Sequence, residues 1–418
     1  MATGRHDPAL PGAARRRYDL LDGLRAIAAL MVVGYHARTR TGADDALWDG
    51  GLQLNMGVTV FFVLSGFLLY RPFVAARLSG SPGPHTGRYL RRRVLRVVPA
   101  YWVAITVLGL TLPFYVPVLT GDWWLFYSLG QTWAPGRMFD GLAPAWSLSV
   151  EASFYLALPL YAMAFRRCTR RMTARQQVRI EFALLAVVLL ITVLARRFAF
   201  SRGDGPLGFL VWSLLGHADW FAGGLALAVA SVLWETAAVR PRWVRFVERR
   251  PNACWGAAAA IFGAAGFVHG SPGDVIHILS LAVAVLLVAP AIFGDETAGA
   301  ARRFLAMRSI RWLGLISFGI FLWNEPLSSW FNANGWNEWG FLNGDVPLFV
   351  LTAAAAIVAG AISYYAVERP LLARSGPRSR HRAQRNSGST PREYPSAEPR
   401  PAVTAAAPAD VGEGRNRE

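Results

Sequence analysis

The sequence contains no lysine, only two cysteines and few charged residues for its length. All 43 basic side chains among the 418 residues are arginine, and charged residues make up 17% of the chain, against about 25% in a typical soluble protein. Cys168 and Cys254 show no metal-ligand or disulfide-framework spacing, so no redox or zinc function follows. Hydrophobic residues account for 54% of the chain, which excludes a disordered protein and indicates that lipid is the solvent.

The net charge of +17 is a balance that also occurs in nucleic-acid-binding proteins. Here the arginines come in clusters between long apolar stretches. This pattern is typical of membrane topology signals and of contacts with anionic headgroups. We therefore predict a protein that contacts the lipid bilayer and does not bind nucleic acid.

Ten stretches are apolar and long enough to cross a bilayer, which takes about 17 to 25 residues. With a cytoplasmic N-terminus, 36 of the 43 arginines fall on the cytoplasmic side, as the positive-inside rule requires. The even number of spans then places the C-terminus in the cytoplasm too. The sequence thus predicts an all-α integral membrane protein, a bundle of about ten transmembrane helices. Their approximate limits are 20–38, 56–76, 97–118, 145–165, 180–196, 212–233, 252–268, 275–293, 310–331 and 346–366.

Three segments follow from this pattern. Residues 1–19 are polar and are predicted to form a cytoplasmic tail, followed by an uncleaved first helix because no small-residue cleavage site is evident. Residues 20–372 form the membrane domain. Residues 373–418 carry almost no large apolar side chains, so a disordered cytoplasmic tail is expected. The aromatic stretch 122–133 is too short to cross and is predicted to lie at headgroup level.

Ionisable residues within the predicted spans cost about 2.5–3.5 kcal/mol each, so each calls for a partner or a function. Arg25 and His36 are eleven residues apart, almost three helical turns, and therefore share one helix face about 16 Å apart. Glu151 in the fourth span is predicted at about the depth of His36, and Asp219 and Asn324 lie in the outer parts of the sixth and ninth spans. Such groups also serve as interhelical packing contacts. A cation, an imidazole and a carboxylate in separate buried positions favour a functional site.

A cluster of arginines precedes the third span. Arg93 and Arg96 are three residues apart and share a face of the helix start, and guanidinium groups bind phosphate in a bidentate manner. Plain anchoring at the membrane surface explains Arg91 and Arg92. For Arg93 and Arg96 we predict a site for the phosphates of a cytoplasmic ligand such as a nucleotide or coenzyme A. No His-x3-His or cysteine-rich spacing accompanies these groups, so no metal is expected.

Four motifs occur in a fixed order along the predicted bundle. They are Arg-x10-His at Arg25 and His36, Gly-Val-x-x-Phe-Phe-Val-Leu-Ser-Gly-Phe-Leu at 57–68, Arg-x-x-Arg-x-x-Pro at Arg93, Arg96 and Pro99, and Trp-Ser-Leu-x-x-Glu-x-x-Phe-Tyr at 146–155. Together they resemble the acyltransferase 3 family, integral-membrane enzymes that transfer acyl groups, often acetyl, to hydroxyls of carbohydrates and related compounds. The resemblance covers about residues 18–372.

Three positions depart from the family pattern. Thr59 stands at a position that is often acidic, Ala152 at the place of a second acid, and Asn324 at the place of a common histidine. These changes bear on the substrate and the rate, because Arg25 and His36 are retained.

The resemblance implies an acyl-CoA donor, with acetyl-CoA expected, that is reached from the cytoplasm. Its phosphates would contact Arg93 and Arg96, and its thioester arm would pass Ser65 and Arg25. The resemblance thus agrees with the phosphate site inferred from the arginines themselves.

The imidazole of His36 is the best candidate for a general base, because it can accept a proton near neutral pH. Glu151 would orient that imidazole or hold the acceptor, and Arg25 would support the thioester oxygen. The acceptor is expected to be an extracytoplasmic carbohydrate, a cell-envelope glycan or lipid, or a glycosylated metabolite. Its expected contacts are Trp146, Asp219 and Asn324.

Two readings remain open at this stage. The first is a multi-pass O-acyltransferase of the plasma membrane. The alternative is a secondary transporter or exporter of a glycan or small molecule, since transporters also line their bundles with ionisable residues. The sequence does not indicate the oligomeric state.

Overall fold

Long apolar helices make up most of the described chain. The computed structural model describes residues 18–41, 53–134, 136–201, 208–236, 242–268, 273–294, 299–339 and 342–374. The α-helices are α1 Asp19–Thr41, α2 Met56–Leu78, α3 Thr86–Thr111, α4 Trp123–Tyr127, α5 Ala145–Thr169, α6 Ala174–Ser201, α7 Gly208–Val211, α8 Ala218–Thr236, α9 Arg242–Arg249, α10 Pro251–Ala265, α11 Gly273–Ile292, α12 Ala300–Leu305, α13 Arg308–Leu315, α14 Ser317–Ala333, α15 Asp345–Ser363 and α16 Arg369–Arg374.

A few shorter elements complete the described structure. Two 3-10 helices span Pro113–Leu119 and Gln131–Trp133, and a π-helical turn, Tyr364–Glu368, joins α15 to α16. Glu338–Trp339 and Leu342–Asn343 form a two-residue antiparallel ladder.

The chain consists of two compact units. The described residues all belong to Met1–Ser375, and the second unit, Gly376–Glu418, lies outside them. The predicted tails, 1–19 and 373–418, lie outside the described residues except at their inner ends, so their disorder and their cytoplasmic location remain predictions.

Among the described residues, seven helical segments are long and apolar enough to cross a membrane, which confirms a helical, multi-pass membrane protein. Three further predicted spans, 212–233, 252–268 and 310–331, correspond to α8, α10 and α14, which have 19, 15 and 17 residues. These three are not among the seven, so the count of about ten is not confirmed, and the sides of the termini also remain predictions. The seven are α1, α2, α3, α5, α6, Val275–Ile292 of α11, and Asp345–Arg374.

The third predicted span, 97–118, is shifted along the chain. Helix α3 begins at Thr86, so the arginine cluster lies within the helix and not in a linker before it. The helix ends before Leu112, whose backbone is extended (φ −119°, ψ 117°). The cause is Pro113, because a proline disfavours helical geometry in the residue before it.

The stretch 122–133 forms the short helix α4 and a 3-10 turn, in agreement with its prediction as a non-crossing segment. Trp123, Trp124 and Trp133 are exposed. Exposed indole rings beside a helical bundle are typical of the membrane interface.

Helix α2 lies at the centre of the bundle, against α1, α5, α8 and α11. Its close contact with α8 depends on Gly66 and Gly224. A methyl group on Gly224 would lie 2.2 Å from the Val63 carbonyl oxygen, and one on Gly66 would lie 2.5 Å from the Phe221 carbonyl oxygen. Small residues permit such backbone approach between membrane helices, and here they fix the position of the helix that lines both cavities described below.

Candidate active site

Two cavities within the bundle share a wall. The arginine cavity, of about 310 Å³, is lined by Arg25, Arg93 and Arg96. The histidine cavity, of about 400 Å³, is lined by three imidazoles. Within the described chain, Val58 of α2 and Phe321 of α14 line both cavities.

The arginine cavity brings together guanidinium groups from α1 and α3. In the part of the chain that the structure describes, none of the three forms an ion pair, and the Nε of Arg93 is buried without a hydrogen-bond partner. The guanidinium carbon of Arg93 lies 6.0 Å from the ring centroid of Tyr155, within cation–π range. Unpaired guanidinium groups that converge on a cavity favour an anionic ligand.

Glu151 of α5 is the acid that lines the arginine cavity, and it accepts a hydrogen bond from the Ser65 hydroxyl at 2.5 Å. Two further acids, Asp22 and Glu368, interact electrostatically with Arg25 but do not line the cavity. Glu368 is almost fully buried on the π-helical turn, and its Oε1 has no hydrogen-bond partner. The lining itself therefore carries three cationic groups and one carboxylate.

His36 of α1 lines the histidine cavity, and its orientation is fixed by Asn324 of α14. The His36 Nδ1 lies 2.6 Å from the Asn324 Oδ1. The Asn324 Nδ2 donates to the carbonyls of Ile320 and Phe321, at 3.2 and 2.7 Å. The amide oxygen therefore faces the imidazole, so the hydrogen-bond network assigns the proton to His36 Nδ1 and leaves the Nε2 lone pair available as a base.

An ion pair anchors the same end of α1 to α14. Arg40 donates to Glu325, which also accepts hydrogen bonds from Tyr115 at 2.9 Å and from Ser329 at 2.8 Å. Burial raises the pKa of the Tyr115 hydroxyl, so it stays protonated and remains a donor. The carboxylate next to Asn324 is thus fully satisfied by its partners.

A second group of imidazoles lines the histidine cavity. The His277 Nε2 lies 2.9 and 2.8 Å from the two oxygens of Asp219, and the Trp220 ring stacks on His277 at 4.3 Å. The His217 Nδ1 lies 3.2 Å from the Ser213 carbonyl oxygen, which can only accept, so Nδ1 carries a proton. Despite these side chains, no group of three His, Cys, Asp or Glu in the described ranges has metal-site geometry.

Aromatic rings form another part of the histidine cavity. Trp146 and Trp212 lie edge to face at 5.0 Å, and Phe139 packs against Trp212 at 5.2 Å. Thr59 is fully buried, and its hydroxyl has no partner among the described residues. Apolar walls with a few polar groups are typical of small-molecule sites, and the Thr59 hydroxyl offers a ligand a hydrogen bond that the protein does not supply.

The predicted site residues are thus distributed over two cavities. Glu151 was predicted at the depth of His36 as a partner of that imidazole. The structure differs, because Ser65 donates to Glu151 and Asn324 holds His36. The predicted residues that line the arginine cavity are Arg25, Ser65, Arg93, Arg96 and Glu151, and those that line the histidine cavity are His36 and Trp146.

Asp219 and Asn324, predicted as contacts of the acceptor, do not line either cavity. Each is fully buried behind an imidazole that does, Asp219 behind His277 and Asn324 behind His36. Both are therefore placed to position a ring, and their contact with the acceptor remains a prediction.

Sequence reasoning did not assign a role to His217, His277 or Thr59. His217 stands two residues before Asp219, but the structure pairs Asp219 with His277, which is 58 residues away. No motif or spacing in the sequence predicts a contact between residues so far apart along the chain. The sequence shows that Thr59 replaces an acid that is usual in the family. It does not show that the Thr59 hydroxyl is buried without a partner among the described residues.

Helical architecture, an arginine-lined cavity and a histidine-lined cavity together define a membrane-embedded enzyme site. A family model described as an acyltransferase domain matches residues 18–366, and the chain therefore belongs to the acyltransferase 3 family. The family resemblance of the four motifs is thereby confirmed, as is the prediction of an acyltransferase.

Several curated relatives agree with this assignment. The peptidoglycan O-acetyltransferase OatA of Listeria monocytogenes is 25% identical over 75% of this chain and 50% of its own length. The O-acetyltransferase OatA of Staphylococcus aureus is 23% identical over 84% of this chain and 56% of its own length. The chain thus spans about half the length of these relatives. A protein of the picA locus of Rhizobium radiobacter is 29% identical over 42% of this chain and 94% of its own length. No solved structure matches significantly.

Proposed function

We propose that this protein is an O-acyltransferase of the plasma membrane. It moves an acyl group, acetyl in the first instance, from cytoplasmic acyl-CoA in the arginine cavity to a carbohydrate hydroxyl in the histidine cavity. The observation that carries the proposal is the pair of cavities with a shared wall. One is lined by three arginines that have no ion-pair partner among the described residues, and the other by His36.

The donor assignment is supported by charge and position. Arg93 and Arg96 lie in the first three turns of α3, whose N-terminal end the positive-inside rule places in the cytoplasm. Acyl-CoA carries several phosphate groups, which guanidinium groups bind bidentately. Arg25, deeper in the bundle on α1, would then lie toward the thioester end of the donor.

The acceptor assignment is supported by the lining of the histidine cavity. On the predicted topology, His36 lies near the outer end of α1. Trp146 and Trp212 offer flat apolar surfaces, and Thr59 offers an unpaired hydroxyl. An envelope glycan, a lipid-linked sugar or a glycosylated metabolite presents the hydroxyls and apolar faces that such a cavity would bind. The named activity of the Listeria relative, peptidoglycan O-acetylation, belongs to the first of these classes.

The proposed reaction uses His36 as a general base. Its Nε2 accepts the proton of the acceptor hydroxyl while the oxygen attacks the thioester carbon. The new C–O bond forms as the C–S bond breaks, and the imidazolium returns the proton to the leaving thiolate. Asn324 keeps the ring in the required tautomer through the 2.6 Å hydrogen bond.

Labelled acetyl transfer tests this proposal. Membranes that contain the wild-type protein should transfer label from acetyl-CoA to envelope extract of the native host, and His36→Ala should abolish transfer. The matched control is His85→Ala, because His85 is exposed before α3 and lines neither cavity. Transfer by the His36→Ala protein at the wild-type rate would contradict the role of His36.

A secondary transporter remains the second candidate, favoured by the ionisable groups inside the bundle. It predicts a substrate flux that depends on an ion gradient and is indifferent to acyl-CoA. Absence of both acetyl-CoA binding and transfer in a folded preparation would favour the transporter over the enzyme.

A further inference from the structure

The wall that the two cavities share is apolar. Val58 contributes from α2 and Phe321 from α14, and both side chains contact each cavity. Phe61, one turn along α2 from Val58, packs edge to face on Phe321 with ring centroids 6.2 Å apart. Phe321 is 5% exposed. The Phe321 ring, together with Val58 and Phe61, therefore separates the arginines from His36.

This separation conflicts with the geometry that acyl transfer requires. Reacting atoms must approach to about 3–3.5 Å, but the arginines and His36 lie on opposite sides of the wall. The acyl group must cross the plane of Val58 and Phe321 to reach an acceptor beside His36. The wall must therefore open during each catalytic cycle.

Of the two side chains, Phe321 is the better suited to move. Valine in a helix is held in one preferred χ1 rotamer, whereas a phenylalanine ring can rotate between wells. Phe321 is also coupled to the base, because its carbonyl accepts a hydrogen bond from Asn324, the residue that holds His36. A shift of this turn of α14 would thus move the wall and the base together.

We propose that Phe321, closed against Val58, is a gate that selects short acyl groups and keeps acceptor-side water from the thioester. The inference rests on the proposed function and adds a specificity-determining residue to it. A closed gate protects the donor from hydrolysis, in which water would attack the thioester carbon and release a carboxylic acid and coenzyme A. Exclusion of water before the acceptor is bound prevents this loss.

The experiment compares Phe321→Ala with Phe318→Ala in purified protein in lipid vesicles. Phe318 lies one turn earlier on α14 and lines the arginine cavity alone, so its truncation enlarges the donor site without opening the wall. Two readouts are measured for each protein. One is coenzyme A release without acceptor, and the other is the ratio of acetyl to butyryl transfer with acceptor.

Phe321→Ala should raise acceptor-independent coenzyme A release severalfold. It should also lower the preference for acetyl over butyryl at least about tenfold, because a single methylene in an apolar pocket is worth about 10- to 200-fold in discrimination. Phe318→Ala, which enlarges only the donor side, should raise acceptor-independent release far less than Phe321→Ala does. Val58→Ala is the second variant if Phe321→Ala does not fold, with the same expected changes.

The outcomes separate this inference from the proposed function. Wild-type transfer with unchanged hydrolysis and acyl preference in folded Phe321→Ala and Val58→Ala would overturn the gate alone. Equal hydrolysis in Phe318→Ala and Phe321→Ala would also overturn it, because the effect would then come from a larger donor cavity. Failure of the wild-type protein to bind acyl-CoA would overturn the proposed function and the gate together.

Discussion

Replacement of Arg93 by glutamine is the sharpest test of the donor site. Arg93 points into the arginine cavity, stacks over Tyr155, and retains a buried Nε without a hydrogen-bond partner. A bound phosphate would satisfy this guanidinium group. Glutamine preserves much of the side-chain length but removes the charge and the forked set of donors.

The magnitude follows from the hydrogen bonds at stake. A hydrogen bond to a charged group contributes about 1.5–3 kcal/mol, and about 1.4 kcal/mol corresponds to a tenfold change in affinity. Arg93→Gln should therefore weaken acetyl-CoA binding about 10- to 100-fold. The turnover at saturating donor should change less, because the phosphates are remote from the thioester.

The assay is a thermodynamic cycle in which the side chain at position 93 and the phosphates of the donor are removed separately and together. Binding of acetyl-CoA and of S-acetyl-pantetheine, which lacks the phosphates, is measured for the wild-type protein and for Arg93→Gln. The loss should appear with acetyl-CoA and vanish with S-acetyl-pantetheine. Arg91→Gln is the matched control, because Arg91 lies on the same helix but is exposed and outside the cavity. Equal losses with both donors, or an equal loss in Arg91→Gln, would refute the phosphate assignment.

Three further changes test other parts of the molecule. Asn324→Ala should lower the turnover roughly a hundredfold, the cost of misplacing a reacting group by about 1 Å, while the exposed Asn334→Ala should not; equal rates would contradict the orienting role. Asp219→Asn should raise the KM for the acceptor and spare donor binding, since it holds His277 in the histidine cavity; a change in donor binding alone would argue against this. Glu181 of α6 forms a buried ion pair with Arg77 of α2. Glu181→Gln should lower the unfolding free energy by about 3–5 kcal/mol, because it leaves the Arg77 guanidinium buried without its counter-charge; an unchanged melting temperature would show that the pair is dispensable.

The positions of charged groups along the helix axes were predictable from the sequence. Arg25 and His36 share one face of α1 because eleven residues make almost three turns. Arg93 and Arg96, three residues apart on α3, line the same cavity. These predictions needed only the rise and the periodicity of one helix.

The partition of the site into two cavities could not be predicted in this way. The predicted topology puts Glu151 near the depth of His36, but the rotation of α5 about its axis decides which neighbour the carboxylate contacts. Each residue step turns the helix by about 100°, so the pattern of one helix does not fix contacts between helices. The hydrogen bond from Ser65 and the wall at Phe321 are both contacts of that kind.

The asparagine at position 324, where the family pattern commonly has a histidine, suits the proposed chemistry better than a carboxylate would. A carboxylate in its place would accept the Nδ1 hydrogen bond of His36 equally well, but it would also stabilise the imidazolium, so more of the rings would already be protonated and unable to accept a further proton. The amide oxygen fixes the same tautomer without adding a negative charge. The neighbouring carboxylate, Glu325, is neutralised by Arg40 and bonded to Tyr115. The surroundings of His36 therefore hold the ring in place and leave its Nε2 free to accept the proton of a hydroxyl.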